Sequence, residues 1–319
     1  MTNRSNDFGR AYEFVFINLL KEEIQKFRPV ELEENSSYFA AKSSWGKIDG
    51  KLKRLLKISA SVVIPTLFDM EPLIVEDGLD CLELKIQKDS EGIIGDVRDI
   101  LIIRRNINWE IGLSLKHNHF AVKHSRLSSN LDFGEKWFGV PCSKSYWDTV
   151  TPIFDYLKRE KQNGTKWKDL PSKEDNVYIP LLLAFIEEIN KSYSVDSELP
   201  AKLVEYLLGF FDFYKIISLD NREISQIQAY NIHGTLNKSS SISAPKINIP
   251  VSQLPTRIVS LAIKPGSNNT VELYMNNGWQ FSFRIHNAST KVEPSLKFDI
   301  QIIGMPVTVI TINCSWVDF

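Results

Sequence analysis

Between Asp7 and Phe27 the apolar residues Phe8, Ala11, Tyr12, Val15, Phe16, Leu19, Leu20 and Ile24 recur at three- and four-residue steps. That spacing predicts a helix with one buried stripe, closed by Pro29. Further along, the period changes. Residues 81–87, 97–104 and 109–117 alternate or run β-branched between polar or glycine-bearing turns, which predicts three successive strands. Residues 121–131 read as a helix, and helical spacing returns over 146–159, 179–189 and 201–217. A Ser/Pro-rich stretch, 238–255, precedes four more strand patterns at 257–263, 270–275, 279–285 and 297–303, with a hairpin turn at Asn276-Asn277-Gly278. The plan is α/β, with a core over 1–140, a helical region over 141–235 and a β-rich region over 236–319.

Composition narrows the class. With 319 residues, 43% of them hydrophobic and 24% charged, the chain can bury a core without disulfide staples, which excludes a disordered, collagen-like or rod-shaped protein. Cys81, Cys142 and Cys314 lie far apart and suggest neither a disulfide framework nor a zinc knuckle. The N-terminal residues lack the apolar core of a signal peptide, and no apolar run approaches the roughly 20 residues that span a bilayer. The expectation is a cytoplasmic protein with no membrane partner. The net charge of −1 hides opposed blocks: six basic residues against one acid over 42–57, then six acids and no base over 69–83.

The chemistry concentrates in 95–128. If 97–104 and 109–117 pair as an antiparallel hairpin about the turn at 105–108, Arg104 lies across from Trp109 and Asp99 across from Ser114. Lys116 then shares a face with Ser114 and Glu110, because strand side chains alternate. A carboxylate and a lysine converge, as phosphodiester hydrolysis requires: the acid holds a hard divalent cation and the ammonium steadies the attacking water or the developing charge. The arrangement resembles the PD-(D/E)xK nuclease site, except that Ser114 stands where that motif carries an acid. The second acid must come from Glu110 on the same strand face or Glu13 on the first helix. The bland reading is an Asp that caps a turn and a Lys that is merely solvated.

The adjoining segment favours a polyanion. His117, Asn118, His119, Lys123, His124 and Arg126 come at or just after the end of the proposed catalytic strand, and on a helix starting near Phe120 Lys123 and Arg126 would share a face suited to phosphate. The letters His117-Asn118-His119 match an HNH nuclease only superficially, since the dispersed histidines and cysteine pairs of such sites are missing from the sequence. At the other end of the chain, Arg284, His286, Asn287 and Lys297 are donors suited to guanine edges or phosphates. They equally fit an ordinary solvated face, with Phe281, Phe283 and Ile285 turned to the core.

Two long strings carry a family resemblance. Gly95-Asp96-Val97-Arg98-Asp99-Ile100-Leu101-Ile102 with residues 109–128, and Asn277-Gly278-Trp279-Gln280-Phe281-Ser282-Phe283-Arg284-Ile285-His286-Asn287-Ala288-Ser289 with residues 292–299, resemble the HaeIII family of type II restriction endonucleases. The resemblance implies a PD-(D/E)xK nuclease-like core with a helical insertion and a β-rich target-recognition region. It also implies Mg²⁺-dependent hydrolysis of double-stranded DNA at a short palindrome, with GGCC and a central blunt cut as the typical target. In that reading Asp99 with Glu110 or Glu13 holds Mg²⁺, Lys116 assists the water, and a cognate DNA methyltransferase is the functional partner. A palindromic target favours a homodimer. Two alternatives stand beside it: a non-catalytic DNA-binding protein on a degenerate nuclease fold, and a metabolic enzyme with a buried Asp–Lys pair.

Overall fold

The computed structural model describes residues 2–76, 78–88 and 96–316, with the side chains of 2–6, Ala121, Val122 and His124 outside the description. Gly95, the first residue of the chemistry-bearing string, also lies outside it. The fold is mixed α/β, and its two sheets belong to two compact units rather than to three consecutive segments. Both units are discontinuous in sequence. The first combines Met1–Phe120, Gly209–Ser252 and Val307–Phe319; the second combines Ala121–Leu208 and Gln253–Pro306.

In the first unit, helices α1 (Thr2–Ile24), α2 (Ser36–Lys47) and α3 (Gly50–Met70) accompany strands β1 (Val30–Glu33), β2 (Leu82–Ile86), β3 (Ile100–Arg104) and β4 (Trp109–His117). Asn35 and Asp49 start α2 and α3 by accepting backbone N–H bonds from Tyr38 and Leu52, the usual use of such side chains at a helix entrance. The expected strand at 97–104 begins only at Ile100, and 109–117 is found as predicted.

In the second unit, residues 121–128 form a strand, β5 (Ala121–Ser128), where the sequence pattern predicts a helix. The correction has a physical cause: β5 pairs along its length with a strand from 295–304, and that pairing overrides a short segment's local preference. Helices α4 (Phe133–Phe138), α5 (Lys144–Gln162), α6 (Ile179–Val195) and α7 (Leu199–Leu208) come next.

A second correction concerns 201–217, expected as one helix. The helix stops at Leu208, Gly209 takes φ +93, and the chain enters β6 (Phe213–Leu219), every residue of which is buried. A continuous apolar run does not distinguish a buried helix from a central strand. Strand β7 (Ile224–Tyr230) returns antiparallel to β6. The C-terminal part supplies β8 (Ile258–Ile263), β9 (Thr270–Met275), β10 (Gln280–His286), β11 (Ser295–Gly304) and β12 (Thr311–Ser315). The β9–β10 turn is the predicted one, with Asn277 and Gly278 at positive φ.

The first unit's sheet runs β1-β2-β3-β4-β6-β7-β12 and the second's runs β5-β11-β10-β9-β8. One face of the first sheet, with Ile100, Ile102, Ile111, Leu113, Leu115 and Ile216, shares a core with α1 and α3. The second unit is built on aromatic rings, with Phe185 within 5.1–5.6 Å of Phe133, Trp137, Phe283 and Phe298. No helix among the described residues is long and apolar enough to cross a membrane.

Candidate active site

The hairpin register is the one the spacing predicts. Arg104 pairs with Trp109 and Ile100 with Leu113, which sets Asp99 opposite Ser114. Asp99 precedes β3, and its carboxylate gathers donors from β4. Its Oδ2 accepts from the Ser114 hydroxyl at 3.2 Å, the Leu115 backbone N–H at 2.6 Å and Lys116 Nζ at 3.1 Å. Among the described residues its Oδ1 meets no protein donor. Both side chains of the Asp99–Lys116 pair remain about a quarter exposed. Alternation puts this polar group on the sheet face opposite the one packed on α1 and α3.

Glu110 goes elsewhere. It lies four residues before Ser114, about 13 Å along the strand, and its Oε1 accepts from Arg98 at 2.7 Å. Arg98 is buried, binds Asp96 at 2.7–2.8 Å and stacks on Phe211 with 4.0 Å to the ring centre. Burial alone would raise the Asp96 carboxyl and lower the Arg98 guanidinium, but the bonds between them outweigh it and both shift toward the charged form. The stem of Arg98 passes over Gly112, where any side chain would collide with its Cβ, Cγ and Cδ. Arg98 therefore walls Glu110 off from Ser114.

Among the described residues, Glu13 is linked to Asp99 only through Gln87. On α1 it lines a cleft of about 280 Å³ with Arg10, Ser36, Ser37, Gln87 and Lys88, and the Gln87 backbone N–H donates to the Asp99 carbonyl at 2.9 Å. No group of three His, Cys, Asp or Glu stands ready to hold a metal among the described residues. One open carboxylate oxygen still suits Mg²⁺, which commonly takes one or two carboxylates and fills its other positions with water and substrate phosphate.

Sequence reasoning missed two residues of this neighbourhood. Lys215 on β6 pairs with Ser114 in parallel register, is buried, and donates to the Phe120 carbonyl at 2.7 Å. Burial, with the like charge of Lys116 beside it, pushes its pKa down to about 7. Its signal was a lone charge inside an apolar run, hidden because that run read as a helix. Asp220 binds His117 Nε2 at 2.7 Å, and its N–H donates to the Asn118 side chain. His117 and Asn118 therefore build the turn after β4, with Asn118 at φ +52, while His119 is exposed.

The segment after β4 needs correction. Because 121–128 is a strand, Lys123 and Arg126 point to opposite faces and do not share one. Lys123 donates to the Tyr206 carbonyl at 2.7 Å over that residue's ring, and burial pulls its pKa down to about 8. Arg126 stays on the exposed face, pairing in register with Lys297 of β11; His124 pairs in register with Asp299, though its side chain lies outside the described residues. On β10, Arg284 pairs with Asp299 and His286 with Lys297.

Thus residues from two distant stretches form one polar face. Asp299 stands at its centre, 2.9 Å from Arg284 and 3.5 Å from both His286 and Lys297. Phe281, Phe283, Ile285, Phe298 and Leu127 occupy the buried side. Asn287 is committed to its own loop, donating to the Ser289 and Lys291 carbonyls and accepting from the Glu293 N–H.

Comparison with known proteins is decisive about kinship. A model of the HaeIII restriction endonuclease family matches residues 9–306. The chain belongs to that family. It is 54% identical over 317 residues to the type II restriction enzyme HaeIII of Haemophilus aegyptius, covering 99% of each chain. No solved structure matches it. The HaeIII-family assignment makes the protein a type II restriction endonuclease, a site-specific endodeoxyribonuclease, and removes the non-catalytic and metabolic alternatives.

Proposed function

We propose that the endonuclease site is the Asp99–Ser114–Lys116 cluster at the end of the β3–β4 hairpin, working with Mg²⁺ on a PD-(D/E)xK-like core. The observation that carries this reading is a carboxylate with three donors on one oxygen and, among the described residues, none on the other, beside a partly exposed lysine. Asp99 would hold the metal through Oδ1, and Glu13 is favoured over Glu110 as the second acid because Glu110 lies about 13 Å along β4 from Ser114, with the Arg98 stem over Gly112 between them. Mg²⁺ bound there would neutralise charge on the scissile phosphate and acidify a water. Lys116, fixed by Asp99, orients the attacking water and offsets the charge that develops on the phosphate. Ser114 and the Leu115 N–H keep the carboxylate aimed, which makes Ser114 a positioning residue.

The polar face of β10, β11 and β5 is the proposed target reader. Arg284, His286, Lys297 and Arg126 supply donors for guanine edges and phosphates, with Asp299 restraining three of them before DNA arrives. GGCC cut centrally to blunt ends is the proposed target, by analogy with the family. A homodimer matching the target's symmetry, a cognate methyltransferase protecting the host's own sites, and a cytoplasmic location complete the proposal.

A digest of plasmid DNA with Mg²⁺, followed by end-mapping, tests the reading. Discrete fragments from the parent and none from Asp99→Ala or Lys116→Ala support it. Cleavage retained by either variant removes that residue from the site.

A further inference from the structure

The two charged blocks of the sequence have opposite fates. The acids of 69–83 are largely engaged inside the first unit: Asp80 with Arg28 and Arg104, Glu83 with Arg105, Asp69 with Lys246, Glu76 with Ser240 and Ser243, and Glu71 with Tyr214. The basic block is left open. Lys42 on α2 and Lys51, Arg54 and Lys57 on α3 are exposed and make no ion pair among the described residues. The acid nearest in sequence, Asp49, is committed to capping Leu52. Three cations, Lys51, Lys53 and Arg54, occupy the opening turns of α3, where the helix dipole disfavours positive charge, and its first turn holds no acid. A bound anion would add to Asp49 in offsetting that charge.

The block's location adds to this. Glu71, just past the end of α3, bonds to Tyr214, which pairs with Leu113. Ser59 bonds to Ser225, which pairs with Ser218, itself the partner of His117. Going back along α3 therefore tracks β4 from Leu113 to His117. Lys51 to Lys57 lie two to eight residues before Ser59, so they reach about 3–12 Å past the level of His117, at the Lys116 end of the sheet. The Phe8 ring meets the His117 ring there, 6.0 Å away.

We propose that the exposed face of α3 formed by Lys51, Arg54 and Lys57 binds the phosphate backbone of duplex DNA outside the target sequence, holding the DNA that runs on from the cut site. This rests on the endonuclease reading and on the cleavage site lying at the Lys116 end of the sheet, while its test reads binding and not cleavage.

The test is binding without divalent metal, to a duplex of about 12 base pairs holding only the mapped target and to one of about 40 base pairs with flanks. The triple variant Lys51→Gln, Arg54→Gln, Lys57→Gln is compared with the parent and with a charge-matched control on α5, Lys144→Gln, Lys158→Gln, Lys161→Gln. The expected result is that the longer duplex loses about tenfold or more of its affinity advantage, and that the slope of log affinity against log salt becomes shallower by about two to three, near one per lost phosphate contact. The control leaves both quantities as in the parent. An unchanged slope, an equal loss on the short duplex, or the same loss in the control overturns the proposal. A thermal midpoint measured on each variant confirms that folded proteins are compared.

Discussion

Two acid–base clusters sit within a few residues of each other on one hairpin, and they are built for different ends. Asp96 and Arg98 form a closed pair: their side chains are 8% and 5% exposed, Arg98 also reaches the 38%-exposed Glu110, and its stem fills the space over Gly112. Asp99, Ser114 and Lys116 form an open one, with side chains of Asp99 and Lys116 25% and 28% exposed and one carboxylate oxygen unclaimed among the described residues. A cluster whose bonding capacity is consumed internally stabilises the fold and has nothing left for a ligand. A cluster that leaves an acceptor and a cation facing solvent can take up a phosphate and a metal.

That contrast separates the variants, in order of effect. Replacing Lys116 with Met should lower the cleavage rate on the order of 10³-fold with the thermal midpoint unchanged, as read from a time course on plasmid DNA. In the closed cluster, Arg98→Met should instead cost about 3–5 kcal/mol in urea unfolding, because Asp96 is left buried without its cation. Protein still folded at low temperature should cut at near the parent rate.

A third carboxylate sharpens the point because it is buried with no ion pair among the described residues. Glu71 accepts from Tyr214 at 2.6 Å, and burial raises its pKa to about 7 from 4.5. The folded state then binds the proton more tightly than the unfolded chain does. Its contribution to stability is full below pH 4.5, is lost as pH rises toward 7, and is level above that. Glu71→Gln should remove this dependence and be more stable than the parent at pH 8 by up to about 3 kcal/mol, measured by urea unfolding across pH. The smallest effect distinguishes the two candidate second acids. Glu13→Gln should raise the Mg²⁺ concentration needed for half-maximal cleavage about tenfold, equivalent to about 1.4 kcal/mol, and Glu110→Gln should leave it level.

Much of this was legible in the sequence because it depends on local spacing. The register of Asp99 against Ser114 comes from counting back across a short turn, and the alternation Phe281-Ser282-Phe283-Arg284 fixes which side of β10 is buried. Features that depend on distant partners were not legible. Residues 121–128 became a strand because β11 pairs with them, and no local pattern announces a partner some 170 residues away. The same pairing brings Arg126 beside Lys297, uniting two donor groups that the sequence presents separately. Lys215 was hidden by an apolar run whose strand character is set by its neighbours β4 and β7. Glu110 shares a strand face with Ser114 and so reads as a ligand by spacing alone, yet Arg98, twelve positions away on the facing segment, holds it.

The most direct test of the account is one variant measured two ways. Asp99→Asn keeps the size of the side chain and removes the charge that would hold the metal. The prediction is that Mg²⁺-dependent cleavage falls on the order of 10³-fold while the thermal midpoint stays with the parent. Cleavage within about tenfold of the parent rate would contradict the placement of the active site at the open cluster.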